Sequence, residues 1–547
     1  MIVKNIYFFR SKVAQWIKLA IIVIGFIFSC RKFVQLQVPI SNVNVGNVCS
    51  SDVTAVVAIT DMADVISRWL KLTTAMITLV FIFSCQKYVQ VPAPISSINV
   101  GNVYSNDPTA IAAITDIYSQ MSSGTLVLAS GQNSLSYFAG LAADELTLYS
   151  GVTVSAAAYL YYTNALTNVS GVDFWNSLYP AIFSINSAIE GISGSTSLTP
   201  AIRQQLLGEA FFLRALCYFY LVNLYGDVPL VTGTDYAVNS LLARSPQATV
   251  WKQIIGDLQN AKALLSGNFL DKSLLKTSTS RLRPTKYTAS ALLARTYLYT
   301  ADWSDAKMQA DSLINNNAPF TLSLVSNLNN VFLANSNEAI WQLQPVSAGI
   351  PNTLDAYYFI LPSTGPNGTN NSYLSTSLLN SFENGDQRRI DWVDSAIAGG
   401  TTYYYPYKYK VNATGSSTLT TEYTMVFRLS EQYLIRAEAE ANGAGNGISS
   451  AISDLNVIRN RAGLAAYSGG TDQASVLAAI LHERQVELFT EWGHRWLDLK
   501  RSGTINTVMA PVCNTIKGGN WSSNWQYFPI PLTDLQADPN LAQNSGY

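Results

Sequence analysis

The chain has 547 residues with 34 basic and 35 acidic side chains, a net charge of −1, and so offers no basic footprint for a nucleic-acid backbone. Only 13% of the residues are charged while 48% are hydrophobic, which leaves Ser, Thr and Asn to cover much of the surface of a large core. Five cysteines and two histidines are too few and too scattered for a disulfide framework or a zinc site.

The N-terminus is duplicated. Phe26-Ile-Phe-Ser-Cys30 recurs as Phe81-Ile-Phe-Ser-Cys85, and counting on from each cysteine 20 of 33 positions are identical at an offset of 55. Each copy places basic residues, an apolar run of roughly 11–13 residues and a small residue ahead of the cysteine, the layout of a secretory signal. The runs are shorter than the ~20 apolar residues of a membrane-spanning helix. A cysteine at the cleavage point resembles a lipoprotein signal, in which the thiol is acylated. Cleavage at Cys30 would leave the apolar run at 72–83 inside a secreted chain, so Cys85 is the expected lipidation site and Cys30 the alternative. The chain then divides into a duplicated leader at 1–61, a lipoprotein signal peptide at 62–84, a polar tether at 85–106 and a folded domain at 107–547.

From residue 107 the pattern is helical. The spacing predicts a helix over 109–121 behind an Asp-Pro start signal. A second helix, over 174–192, carries Trp175, Tyr179, Ile182, Asn186 and Ile189 at three- and four-residue steps. A third, over 206–225, is apolar on nearly every side and must lie between other helices. Gly226 and Pro229 end it. Glu209 and Arg214 within it need partners elsewhere, and Arg214 is expected to be structural. Ala294 and Tyr297, followed by Asp302, Trp303 and Ala306, reproduce the spacing of a tetratricopeptide repeat, in which a small side chain lets two helices approach. Ala215 with Tyr218, and Ala437 with Leu455 and Ile458, form two looser units. Such pairs stack into a curved frame.

Residues 131–163, 345–373 and 398–421 are rich in Gly, Ser, Thr, Asn and Tyr, have little periodicity, and read as long loops with a few short strands. They carry Tyr149, Tyr159, Tyr161, Tyr162, Tyr357, Tyr358, Tyr403, Tyr404 and Tyr405. Aromatic faces of this kind stack on sugar rings while neighbouring polar groups bond the hydroxyls. In an extended chain the tyrosines from 403 to 407 alternate faces, so about half of them can meet a ligand. Tyr149, Tyr159, Tyr161, Tyr357, Tyr358 and Tyr404 are the candidate contacts.

No catalytic constellation is present. His482-Glu-Arg-Gln-Val486 opens like a zincin motif but lacks the second histidine four residues on, and His494 lies twelve away. Glu483, Glu487, Glu491 and Arg495 fall at four-residue steps and read as one helix with salt bridges, beside Arg484. No catalytic residue, metal or cofactor is expected.

Four blocks occur in order: Gly208-Glu-Ala-Phe-Phe-Leu-Arg-Ala-Leu216 running into Tyr225-Gly-Asp-Val-Pro-Leu230; Arg428-Leu-Ser-Glu-Gln-Tyr-Leu-Ile-Arg-Ala-Glu-Ala439; Glu483-Arg-Gln-Val-Glu-Leu488 running into Gly493-His-Arg-Trp-Leu-Asp-Leu499; and Phe528-Pro-Ile-Pro531 with Gln543-Asn-Ser-Gly-Tyr547. Together they resemble the SusD/RagB family of outer-membrane nutrient-binding lipoproteins, over nearly all of the chain after residue 85. The resemblance implies a mostly α, SusD-like fold with tetratricopeptide-type helix pairs and long loop insertions carrying a few short strands. It implies a non-enzymatic, surface-exposed protein, lipid-anchored in the outer membrane of a Gram-negative bacterium. Such a protein binds an oligosaccharide and delivers it to a SusC-like TonB-dependent transporter. It also adds Asp144 and Glu145 to the candidate contacts, because relatives place polar ligand contacts after the first long helix. A tetratricopeptide scaffold taking peptides and a helical glycoside hydrolase are the alternatives.

Overall fold

The computed structural model describes residues 100–547 apart from 130, 170–173, 316–317 and 416–417. The duplicated leader, the signal peptide, Cys30, Cys85 and most of the tether lie outside the described residues.

The first described long helix, α1 (Asp107–Ser123), begins where the Asn106 side chain accepts from the Thr109 amide, with Pro108 at its start, and stops at Gly124 in the left-handed region (φ 75°). Next come α2 (Leu135–Ala142), β1 (Leu146–Leu148) and α3 (Ala156–Tyr162), then the long α4 (Phe174–Gly194) and α5 (Pro200–Tyr225). By length and composition α5 could cross a membrane, but 89% of its apolar window is buried inside the protein, so it is the core helix that its all-round apolarity predicts. Its two buried charges are paired as expected: Glu209 bonds Arg283 and the Tyr118 hydroxyl, each at 2.8 Å, and Arg214 forks onto Asp257 at 2.7 and 2.8 Å.

Helix pairs form the frame. α5 packs on α6 (Gln247–Leu264), α7 (Lys286–Tyr299) on α8 (Trp303–Ile314), and α11 (Leu429–Ala441) on α12 (Ile448–Arg461). The small residues that the repeat spacing singled out, Ala215, Ala294, Ala306 and Ala437, are fully buried at these contacts. The strands add three antiparallel ribbons: β1 with β3 (Ser372–Leu374), β2 (Ala339–Leu343) with β6 (Thr424–Arg428), and β4 (Val393–Ala398) with β5 (Thr401–Pro406). The mostly α expectation therefore holds.

The closing block of the sequence locks the end of α5. The Phe528 amide donates to the Leu224 carbonyl at 2.7 Å, and the Asn544 side-chain amide donates to the carbonyls of Tyr225 and Phe528 at 3.0 and 2.8 Å. The two irregular halves of the block, on either side of the short helix Leu532–Ala537, are thereby fixed to the end of the long core helix.

Two expectations need correcting. The loop regions hold more helix than their composition indicates, because Ser134, Ser155 and Thr353 each cap a short helix by accepting the amide three residues on: α2, α3 and α9 (Leu354–Phe359). The run from Glu483 to Arg495 is also broken. α13 (Gln473–Glu487) ends, the chain turns through Thr490, Trp492 and Gly493 at φ 52°, 49° and 71°, and α14 (His494–Arg501) starts afresh. The turn carries Glu491 to Arg428, with Nε to Oε2 at 2.9 Å, and to Lys408 at 2.5 Å. Glu487, one turn earlier, meets Arg388 at 3.0 Å and also touches Arg428 and Arg461. The salt bridges are real, but they knit several elements together instead of one helix face.

Candidate functional site

The three loop regions converge on residues 367–373. Thr147 pairs with Tyr373 in the β1–β3 ribbon, and the Tyr149 amide extends it by donating to the Asn371 carbonyl at 2.8 Å. The Asn370 side-chain amide donates to the carbonyls of Tyr357, Tyr358 and Ile360 at 2.8, 3.0 and 3.1 Å, which fastens the end of α9. The Tyr137 hydroxyl bonds the Asn371 side chain at 2.6 Å, and the Gly131 amide donates to Asp355 at 3.1 Å. Two glycines permit the approach. Gly131 sits at φ 85°, where a Cβ would lie 3.3 Å from the Tyr358 ring; Gly365 sits at φ 84°, where a Cβ would lie 2.6 Å from that of Ala398 on the β4–β5 hairpin.

On this base three half-buried tyrosines gather. Tyr403 stands between Tyr149 and Tyr373, with ring centroids 5.6 and 5.1 Å away and planes inclined by 83° and 78°. Tyr162, bonded to Thr147, adjoins Tyr373. Tyr357 and Tyr358 form a second pair, 5.0 Å apart and inclined by 84°. Such edge-to-face packing holds the rings at fixed angles and leaves half-exposed aromatic surface beside hydroxyls, a surface suited to sugar rings.

Of the candidate contacts, Tyr149, Tyr357 and Tyr358 are half-buried at the loop surface. Tyr159 is 57% exposed on α3. Tyr404 is on the opposite side of β5 from Tyr403, its ring carrying the Arg389 guanidinium at 4.4 Å. Three candidates are corrected by burial. Tyr161 is 1% exposed and packs among Phe138, Phe174 and Phe528. Asp144 is 2% exposed and gripped by the Arg495 fork at 2.7 and 2.8 Å. Burial alone would raise its pKa; the Arg495 guanidinium and the Ser377 hydroxyl outweigh that and hold it below the usual carboxylate range. Glu145, also 2% exposed, is pushed up to about 8 by burial and then by the neighbouring Asp144 charge. Both carboxyls hold the fold behind the loops.

A concavity elsewhere carries none of the tyrosines of the platform. It measures about 550 Å³ and is lined by Tyr118, Lys272, Arg283 and Gln342, among others. Glu383, His482 and Glu483 bring ligand atoms within 4.8 Å of one another. Arg459 already holds Glu383, at 2.5 and 3.0 Å, and Arg388 holds Glu483 at 2.6 Å, so the carboxylate charge is spent on guanidinium groups. The His482 ring nitrogen Nε2 donates to the Ser381 carbonyl at 2.7 Å.

Two family models match. One, described as the SusD family, covers residues 368–547; the other, described as starch-binding associating with outer membrane, covers residues 110–298. The chain belongs to the SusD/RagB family. Among curated relatives, SusD-like protein P25 of Formosa agariphila is 25% identical over 536 residues, spanning 85% of this chain and 97% of that protein. SusD-like protein P2 of the same organism is 29% identical over 425 residues, spanning 68% of this chain and 80% of its own. A solved laminarin-binding SusD-like protein shares the fold with a TM-score of 0.66 at 22% identity, covering 81% of this chain and 100% of its own. Surface glycan-binding protein A of Bacteroides thetaiotaomicron, solved with laminarihexaose, has a TM-score of 0.65 at 20% identity, covering 80% and 99%.

Tyr373 and Tyr403, which complete the platform, are not among the candidates named from the sequence, although both lie in the loops marked out there. Alternation along β5 was the available signal, since it separates Tyr403 from Tyr404. It gives no sign of which side meets Tyr149.

Proposed function

We propose that this SusD-family chain is a cell-surface lipoprotein, anchored in the outer membrane through an acylated Cys85, that captures an oligosaccharide and passes it to a SusC-like TonB-dependent transporter. One observation carries the binding half of this reading: three separate loop regions are fastened together so that Tyr149, Tyr373 and Tyr403 share one surface. Rings held in this way present apolar faces to the C–H faces of a sugar while their hydroxyls compete with water for its oxygens. Membership of the family, and the laminarihexaose held by a structural relative, support the same reading. A glycosidase needs two carboxyl groups facing one cleft, ~5–10 Å apart. Here Asp144 is committed to Arg495 and Glu145 is buried, so capture without bond-breaking fits the loop face.

A glycan array probed with the detergent-purified protein tests the reading. Binding to at least one oligosaccharide class, with no new reducing ends on incubation, is expected. Binding only to peptides, or release of reducing ends, would overturn it. Mass spectrometry of membrane-extracted protein is expected to find lipid on Cys85, and co-purification to bring down a TonB-dependent transporter.

A further inference from the structure

We infer that the loop face takes an uncharged glycan and rejects uronic-acid and sulfated ones. This rests on the glycan-binding reading above and narrows it.

The three loop regions contain five charged residues: Asp144, Glu145, Asp355, Lys408 and Lys410. Four of them are buried and Lys410 is half-buried, with its ammonium held by backbone carbonyls. Asp144 is closed by Arg495, and Glu145 accepts from the Thr490 amide at 3.3 Å. Asp355 is buried behind Gly131. Lys408, also buried, donates to Glu491 and to the Glu487 carbonyl at 2.5 and 2.9 Å. Lys410 directs its ammonium to the carbonyls of Asp391 and Tyr407 at 2.7 and 2.8 Å. One further cation reaches the platform from behind. Lys517 lies 5.2 Å from the Tyr162 ring centroid, but its three donors are taken by the carbonyls of Leu141, Ala142 and Ala143. Arg389 lies against Tyr404, on the far side of the hairpin from Tyr403. The exposed charge on the Tyr403 side of the hairpin is negative: Asp394, which accepts from Tyr405 at 3.1 Å.

Among the described residues, then, the surface around Tyr149, Tyr373 and Tyr403 shows phenols, hydroxyls and backbone but no cation turned toward it. A carboxylate or sulfate laid on it would shed water without gaining a charge-assisted hydrogen bond, and it would face Asp394. An uncharged sugar loses nothing there. For a protein with so few surface charges, burying those of the binding loops acts as a selectivity filter, because discrimination comes from penalising the wrong ligand as much as from favouring the right one.

The test titrates the detergent-purified full chain with a neutral glucan panel (laminarin, starch, xyloglucan) and an anionic panel (polygalacturonate, alginate, carrageenan) at low and high salt. The expected result is binding confined to the neutral panel. Any anionic binding should be at least about tenfold weaker, the cost of leaving one charged group unpaired. Affinity for the neutral glycan should change less than about twofold between 20 and 500 mM salt, since no ion pair is there to be screened. Ser150→Arg, at an exposed position beside Tyr149, should raise anionic binding without loss of the neutral ligand. Preferential binding of an anionic glycan by the unmodified chain would overturn the inference while leaving glycan capture standing. Binding of neither panel, with peptides bound instead, would remove the glycan reading and this inference with it.

Discussion

In the helical frame, Arg388, Arg428 and Arg461 are wrapped by Glu338, Glu483, Glu487 and Glu491, drawn from a loop, the short α10 (Gln387–Asp391), β6, α12, α13 and the turn that follows α13. In the loop face the arrangement is the other way: four of its five charges are buried and the fifth, Lys410, is held by backbone carbonyls, while Tyr149, Tyr373 and Tyr403 remain half-exposed. The frame uses charge as an internal fastener, where a guanidinium can satisfy several carboxylates at once. The loop face hides charge, so that what remains for a ligand is aromatic and neutral.

The largest way to break the contrast lies in the frame. Arg428→Met leaves Glu338, Glu487 and Glu491 buried with too few cations, a loss expected to cost about 3–5 kcal/mol in urea unfolding. A change under about 1 kcal/mol would show that the network fastens nothing.

The next acts behind the loops. Folding raises the Glu145 carboxyl from its ordinary value of 4.5 to about 8. The folded side chain therefore keeps a proton that the unfolded chain gives up. Stability from this group is present below about 4.5 and is lost as pH rises toward 8, by at most ~1.4 kcal/mol per pH unit. Glu145→Gln, which mimics the protonated form, should remove that slope: the variant gains on the parent between pH 5 and 8 in paired unfolding curves. Parallel curves would contradict the buried, protonated state.

A smaller effect is expected at the junction of loop and hairpin. Gly365→Ala introduces a Cβ 2.6 Å from that of Ala398 at a backbone angle other residues rarely adopt, and should cost about 1–3 kcal/mol while loosening the Tyr403 platform. Calorimetric melting together with a glycan titration separates the two consequences.

Much of the frame was legible because its signals are local and long. The all-apolar span that became α5, the small-residue spacing of α7 and α8, and the need of Arg214 for a partner all follow from periodicity and desolvation. The broken run after Glu487 was hidden because four-residue spacing persists across a turn in which two of the three positive φ angles fall on Thr490 and Trp492, residue types that give no warning, and Gly493 alone signals the break. The site was half legible. Composition located the loops and their tyrosines, and Tyr149, Tyr357 and Tyr358 are at the surface. The burial of Asp144 depends on Arg495, which is 351 residues away in the chain. The choice of Tyr403 over Tyr404 depends on which side of the hairpin meets the β1–β3 ribbon. Long-range pairing of that kind leaves no mark on a local pattern.

The central claim, that the Tyr149–Tyr373–Tyr403 surface holds a glycan, is tested most directly by titrating the best array ligand into the parent protein and Tyr403→Ala. The account predicts about a tenfold loss of affinity, the worth of one stacked ring, with the melting curve little changed. Unchanged affinity in a folded variant would contradict it.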